Sequence, residues 1–316
     1  IFDDDDDDDE EERPPLVREC HRRQDRALAD KSPYVSAKAR ALSACLAGDG
    51  GTSVCDPGSA GALAAAAREL PGMELLLRGP HRRAEALEGA RFRTCAVVGR
   101  APNVLKAPAG AAIDRHEAVF RINSFDPHGH AAELGTKTTF HVMNLAHSTK
   151  VVELDDSRGD ITAIDSYGRD ATWLLWLKTK RAQEEVLPKL KRLNAHGRAA
   201  FMNDPREFAE WAQATHLALM ADVAGLGATG GWHYGGWRCP RYLSSGVWSL
   251  YFALSACGSV NLFGMSYSEA MLGGGNITHL DGEVTHVQSS AHSWPFDVVL
   301  LRLLRIAGVV GVCNAA

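Results

Sequence analysis

An apolar run that ends in glycine, Cys95-Ala-Val-Val-Gly99, constrains this chain more than any other feature. Consecutive small and branched apolar residues read as a strand buried on both faces, as in a parallel sheet covered by helices. A glycine at its end lets a ligand approach the backbone at the strand's C-terminal edge, where open α/β sheets bind their ligands. The turn that follows, Arg100-Ala-Pro-Asn103, carries Pro102 and no G-x-G-x-x-G pattern, which argues against a dinucleotide pyrophosphate cradle. A second strand, Val119-Phe-Arg-Ile-Asn123, and a polar loop, Gly135-Thr-Lys-Thr-Thr139, complete the stretch. Cys95–Thr139 therefore reads as half of a nucleotide-binding α/β unit.

The chain beyond it alternates in the same way. Strands are expected at Cys95–Val98, Ala118–Ile122, Thr139–Met143, Thr172–Leu177 and Val260–Phe263, and helices at Ala182–Leu193, Pro205–Leu219, Gly246–Ala256 and Trp294–Ile306. In the last helix Val299, Leu300, Leu303, Leu304 and Ala307 recur at helical spacing on one face. Strands alternating with helices predict an α/β fold: a single Rossmann-like domain over residues 94–312, its mainly parallel sheet flanked by helices. Residues 34–93 are Ala/Gly-rich and helical in pattern, and are expected to pack on the outside of that core. Residues 1–33 read as a disordered acidic/basic tail or stem. The Gly- and Trp-rich segment Gly225–Trp237 reads as a loop, a candidate binding lid.

Charge narrows the partners. The formal net charge of −5 is dominated by ten acidic residues in Asp3–Glu12. Removing those ten from the 39 acidic residues leaves 29 against 34 basic ones, so the body is mildly basic. That balance suits an anionic substrate and falls far short of a nucleic-acid-binding signature. The Asp run has no defined geometry for a metal and reads as a solvated tail. The seven cysteines are widely spaced, with no CxxC pair, so a zinc site is not expected. Their spacing fits a reduced cytosolic enzyme or a few long-range disulfides equally well. No run of about 18 apolar residues is present to span a membrane. The chain opens at Ile1 without a signal segment and reads as a fragment of a longer protein.

Three further pieces carry chemistry. Asn123 offers a donor and an acceptor at a strand end, which suits a base or ribose, although such an Asn is often only a turn-former. Arg241-Tyr-Leu-Ser-Ser-Gly246 runs straight into an apolar helix and puts hydroxyls and open N–H groups at its N-terminus, a site for phosphate or carboxylate or a simple cap. His292-Ser-Trp-Pro-Phe-Asp297 puts an imidazole at the mouth of the last helix, where it can act as a base near neutral pH. A single residue among thirteen histidines identifies nothing by itself.

In this order the pieces resemble the sialylmotifs of the eukaryotic sialyltransferases, which use CMP-sialic acid. Cys95 through Asp114, then His116, Val119, Arg121, Asn123, Gly129 and Gly135–Thr139, look like the family's long motif. Arg241–Gly246, Leu254, Cys257, Val260 and Phe263-Gly264 look like its short motif, and His292 with Asp297 like its very short H-x4-E motif. The third motif is the poorest match: His279-Leu-Asp281 is the chosen equivalent, with His286 as the rival.

The resemblance implies a GT-A-variant fold and an inverting, metal-independent transfer of sialic acid from CMP-sialic acid to a glycan hydroxyl on a glycoprotein or glycolipid. CMP-sialic acid is then a co-substrate, and no cofactor is expected. His292 would be the general base and His279 the phosphate-contacting histidine. Gly99, Arg100, Asn103, Asn123, Ser244, Ser245 and Gly246 would bind the donor. Cys95 and Cys257 would form a disulfide joining the two donor-binding motifs, in a Golgi-lumenal type II membrane protein whose anchor lies outside this chain. Asn276-Ile-Thr278 is a glycosylation sequon in keeping with that location. Three departures stand out. Arg100 replaces a donor-contacting Asn, Leu243 replaces Pro, and Asp297, which replaces Glu, is expected to fix the helix start or a neighbouring loop. Arg100 and the eroded third motif leave two alternatives: a catalytically impaired CMP-binding relative, or a transferase for another CMP-ulosonic acid such as CMP-Kdo.

Overall fold

A computed structural model describes residues 15–30, 36–47, 60–81, 91–123, 128–158, 170–177, 180–194, 198–201, 206–228, 237–265, 277–280, 284–285 and 291–313. Its centre is a seven-stranded sheet in the order β5-β4-β3-β2-β1-β6-β9, in which every pairing is parallel. The strands are β1 (Phe92–Val98), β2 (Ala118–Ile122), β3 (Phe140–Asn144), β4 (Thr172–Trp176), β5 (Arg198–Phe201), β6 (Cys257–Phe263) and β9 (Val310–Val312). A separate antiparallel pair, β7 (Ile277–Thr278) and β8 (Val284–Thr285), lies between β6 and β9 in the chain. The expected α/β class thus holds, with a large sheet that is wholly parallel.

From β1 the chain winds outward through β2, β3, β4 and β5, then returns to place β6 on the other side of β1. The crevice above β1 and β6 is therefore the topological switch point, the usual ligand position in such sheets. The backbones meet there closely. A Cβ added at Gly99 would lie 2.4 Å from the Gly264 carbonyl oxygen, and Gly264 itself has φ of 59°. Gly99 N–H donates to Phe263 O (2.8 Å) and Ala101 N–H to Gly264 O (3.0 Å), closing the crossing.

The helices are α1 (Pro15–Ala29), α2 (Ala37–Ala47), α3 (Ala60–Arg68), α4 (Pro71–Arg78), α5 (Gly110–Asp114), α6 (Ala131–Leu134), α7 (Leu145–Arg158), α8 (Lys180–Glu185), α9 (Leu187–Leu193), α10 (Arg206–Gly225), α11 (Ser245–Ala256) and α12 (Trp294–Ile306). Helix α11 is apolar all round, with Val247 to Ala253 all buried, as a helix packed among other helices and a sheet must be. It runs directly into β6, and α12 leads through a three-residue turn into β9, so both lie antiparallel to the strands. Their N-termini accordingly sit at the C-terminal edge of the sheet. The contact between Trp248, in the first turn of α11, and Trp176, at the end of β4, bears this out with ring centroids 4.6 Å apart.

Two expectations need correction. The tail expected over residues 1–33 contains a docked helix, α1, whose Val17, Cys20 and Gln24 are buried and whose Cys20 is bonded to Cys239. The charge that suggested a tail lies on its outer face, where Glu19 pairs with Arg22 and Arg23. Residues 34–93 are not all peripheral helix, since β1 begins at Phe92, and Leu42, Leu46 and Met73 lie in the main core. The disulfide implied by the resemblance is present: Cys95 in β1 is bonded to Cys257 at the start of β6, with Cα atoms 6.0 Å apart. Among the described residues no helix is long and apolar enough to cross a membrane.

Candidate active site

Three strand exits, those of β1, β2 and β3, line one side of the crevice. At the end of β2, Asn123 adopts a left-handed conformation with φ of 58°, which Asn tolerates better than most side chains. Its N–H donates to Val142 O (2.7 Å), and His141 Nε2 lies 2.7 Å from its carbonyl oxygen. Its side-chain Oδ1 accepts from Asn144 N–H (3.2 Å), which directs the remaining amide nitrogen as a donor. At the end of β3, Asn144 caps α7 by accepting from His147 N–H (3.0 Å). Arg100, just past β1, is buried, and its guanidinium reaches across to His147 with Nη1 3.1 Å from Nε2. A guanidinium carries only N–H donors, so that His147 nitrogen is the acceptor. Leu280 N–H donates to Arg100 O (3.0 Å), which brings His279 beside the β1 exit.

Two helix N-termini form the other side. Ser244 caps α11: its Oγ accepts from Val247 N–H (3.2 Å) and donates to Asp297 Oδ2 (2.9 Å) in the first turn of α12. One hydroxyl thus ties the two helix starts together. The N–H groups of Ser245 and Gly246 lie in the first turn of α11, where the helix supplies no acceptor, at the positive end of its dipole. Arg241 and Tyr242 both donate their N–H to Ala291 O (2.9 and 3.3 Å), drawing the segment before α11 against the segment before α12. His292 is fixed by the same contact, with Nδ1 2.7 Å from Tyr242 O. A ring donating from Nδ1 carries its basic lone pair on Nε2. The Trp294 ring stands edge-on to it, centroids 5.2 Å apart.

Beneath His292 lies a buried polar layer. Burial pushes the Asp297 carboxyl up to about 7, against the opposing effect of the Ser244 hydrogen bond. Burial, reinforced by nearby His292, pulls His216 down to about 3. Tyr251 Oη lies 3.5 Å from His216 Nδ1, and burial together with the Asp297 carboxyl pushes its phenol well up. Among the described residues no three His, Cys, Asp or Glu side chains gather as a metal site requires.

The model of glycosyltransferase family 29 (sialyltransferase) matches residues 67–309. The chain belongs to this family. Among curated proteins it is 27% identical over 188 residues to sialyltransferase-like protein 2 of Oryza sativa subsp. indica, covering 57% of this chain and 46% of that one. It is also 27% identical over 177 residues to a Pan troglodytes CMP-N-acetylneuraminate-beta-galactosamide-alpha-2,3-sialyltransferase 1, covering 54% and 44%. The chain thus spans about half the length of these relatives. Among solved structures, a mammalian sialyltransferase aligns over 78% of each chain with 20% identity and a TM-score of 0.45.

Within this sialyltransferase-family chain Gly99, Arg100 and Asn123 lie at strand exits, His279 adjoins Leu280, whose N–H donates to Arg100 O, and Ser244–Gly246 and His292 lie at the N-termini of α11 and α12. Asn103 lies in the turn just after β1. Some motif residues have other work. Asp114 accepts from Thr136 N–H (3.0 Å) and Lys137 N–H (3.0 Å), and Arg121 donates to Leu134 O (2.9 Å), Lys137 O (3.0 Å) and Thr138 Oγ1 (3.1 Å). These bonds hold the Gly135–Thr139 loop, not a ligand. Ser244, chosen as a donor contact, spends its hydroxyl inward on Asp297 because a buried carboxyl needs a partner. Asp297 fixes the cap of α11 as well as the start of its own helix, where its N–H donates to Ser293 O. Sequence reasoning passed over Asn144, His147 and Tyr242. Asn144 touches Asn123, His147 touches Arg100 and Tyr242 touches His292; in sequence only Tyr242 lies near a site residue, two positions before Ser244. Asn276, His286 and most of Gly225–Trp237 lie outside the described residues.

Proposed function

We propose that this chain transfers sialic acid from CMP-sialic acid to a hydroxyl of a glycan acceptor. The observation that carries the reading is His292, held through Nδ1 by Tyr242 O at the mouth of two converging helix N-termini. Its Nε2 takes the proton of the acceptor hydroxyl as the oxygen attacks the anomeric carbon of the donor sugar. The bond from that carbon to the phosphate oxygen breaks, its electron pair leaves with CMP, and the configuration inverts. Asn123 binds the cytidine or phosphate, and the N–H groups of Ser245 and Gly246 hold an anionic group of the donor. His279 contacts the phosphate. The reaction takes place in the Golgi lumen and needs no metal.

Arg100 supports a second reading. Its buried guanidinium reaches from the β1 exit to His147 in the first turn of α7, and an arginine so placed suits a relative that binds CMP without transferring sugar. One experiment separates the two. The chain is incubated with CMP-Neu5Ac, and separately with CMP-Kdo, and a panel of galactosides, with and without EDTA. CMP release and sialylated product that survive EDTA and vanish in His292→Ala support transfer. CMP binding without product favours the second reading, and absence of CMP binding overturns both.

A further inference from the structure

The side of the site that carries His292 is held from outside the family-matched region. That region begins at residue 67, whereas α1 ends at Ala29. Helix α1 packs along α10, and its Gln24 is buried to 3% exposure beneath the segment that leads into α11. Gln24 Nε2 donates to Trp237 O (2.8 Å), and Gln24 Oε1 accepts from Trp237 N–H. One side-chain amide thus supplies both hydrogen bonds that a neighbouring strand would give this backbone. Two residues later Cys239 is bonded to Cys20, one helical turn before Gln24 in α1. The Trp237 ring packs on Phe296 of α12, centroids 5.8 Å apart. Residues 237–244 belong to no helix or strand, so these contacts set their path. The far end of that path is Tyr242, whose carbonyl holds His292.

We propose that Gln24, backed by the Cys20–Cys239 bridge, is a positioning residue for His292. It touches no substrate; it fixes the strap 237–242 that orients the imidazole. The Asn123 side of the site hangs on β1, β2 and β3 and is independent of the strap. Loss of the Gln24 amide therefore separates turnover from nucleotide binding. A misplacement of about 1 Å at a catalytic group can cost ~100-fold in rate. The inference rests on the transferase reading for its kinetic consequence and on geometry alone for its structural one.

The test uses the full chain with Gln24→Met, which keeps the volume and removes the amide, and with Cys20→Ser/Cys239→Ser. Transfer from CMP-Neu5Ac to a galactoside is measured well below each variant's Tm, and CMP affinity is measured by calorimetry. Gln24→Met is expected to lower kcat about tenfold with CMP affinity within about twofold, and the bridge variant to lower it further when combined. The second readout needs no activity: the Nδ1–H proton resonance of His292, assigned by its loss in His292→Ala, exchanges faster with water in Gln24→Met. An unchanged resonance overturns the inference whatever the enzyme does. So does an active wild type whose Gln24→Met variant keeps its kcat, or loses CMP affinity in parallel. A wild type that transfers nothing while its resonance responds to Gln24→Met leaves the positioning standing and sinks the transferase reading alone.

Discussion

On the strand-exit side of the crevice, Asp114, Arg121 and Thr139 use their polar atoms within their own motif, mostly on its backbone: Thr139 Oγ1 accepts from Val119 N–H, and Asp114 and Arg121 grip residues 134–138. Asn123 and Arg100, by contrast, stand at the exits themselves. On the helix-mouth side the arrangement is reversed. His292 is half-buried, and the polar residues behind it, Ser244, Asp297, Tyr251 and His216, are buried in a layer that joins two helix starts. The first side is stiffened by backbone hydrogen bonds and a disulfide in the sheet. The second is stiffened by titratable side chains and a strap. The two sides should therefore answer differently to mutation and to pH.

Removing Arg121 strikes the first side hardest. Its guanidinium is buried, held down to about 10 by burial against the support of Asp114, and satisfies three acceptors. Arg121→Met leaves those acceptors unpaired and should cost about 3–4 kcal/mol in chemical denaturation. Activity per folded molecule should stay near that of the wild type. A loss of turnover without a loss of stability would place Arg121 in the chemistry and erase the contrast between the two sides.

The second side should show its buried acid. A carboxyl raised from 3.8 to about 7 on folding leaves the folded protein with more bound protons than the unfolded one between those values. Stability from this group is then full below about pH 4 and is lost as pH rises toward 7, a difference on the order of a few kcal/mol. His216 works the other way: a histidine pulled to about 3 favours the fold above pH 6.5, and that contribution is lost as pH falls below it. Asp297→Asn keeps an acceptor for Ser244 and removes the charge. Its Tm relative to the wild type should rise between pH 5 and pH 8, and a difference that is flat with pH would contradict the buried-acid reading.

The smallest effect concerns Asn123. Asn123→Gly keeps the left-handed backbone without strain and loses the amide, whereas Asn123→Ala loses both. CMP affinity should fall about tenfold in each, and the alanine variant should be less stable than the glycine variant by about 1 kcal/mol. Equal affinity in wild type and glycine variant would leave Asn123 as a turn-former only.

Much of the fold was legible because buried parallel strands read as unbroken apolar runs: β2 is found at the expected residues, and β1, β3, β4 and β6 within three residues at either end. The edge strands were missed for the opposite reason. Val310-Gly-Val312 and Arg198-Ala-Ala-Phe201 are short runs with a glycine or small residues, and pairing with a neighbour makes them strands. Helix α1 was hidden by its charge, although Val17, Cys20 and Gln24 repeat at helical spacing; the glutamine broke the apolar stripe because its partner is a backbone 213 residues away. In the site, His292 and Ser244 stood out as helix-mouth residues. That Ser244 faces Asp297 was not legible, since a cap and a ligand contact call for the same residue.

Calorimetric titration of CMP into wild type and His292→Ala, paired with single-turnover transfer from CMP-Neu5Ac to a galactoside, tests the division between the two sides most directly. The account predicts that His292→Ala binds CMP within about twofold of wild type and forms product at least ~100-fold more slowly. A variant that keeps its transfer rate, or that loses CMP affinity along with it, would contradict the assignment of nucleotide binding to the strand exits and proton removal to the helix mouth.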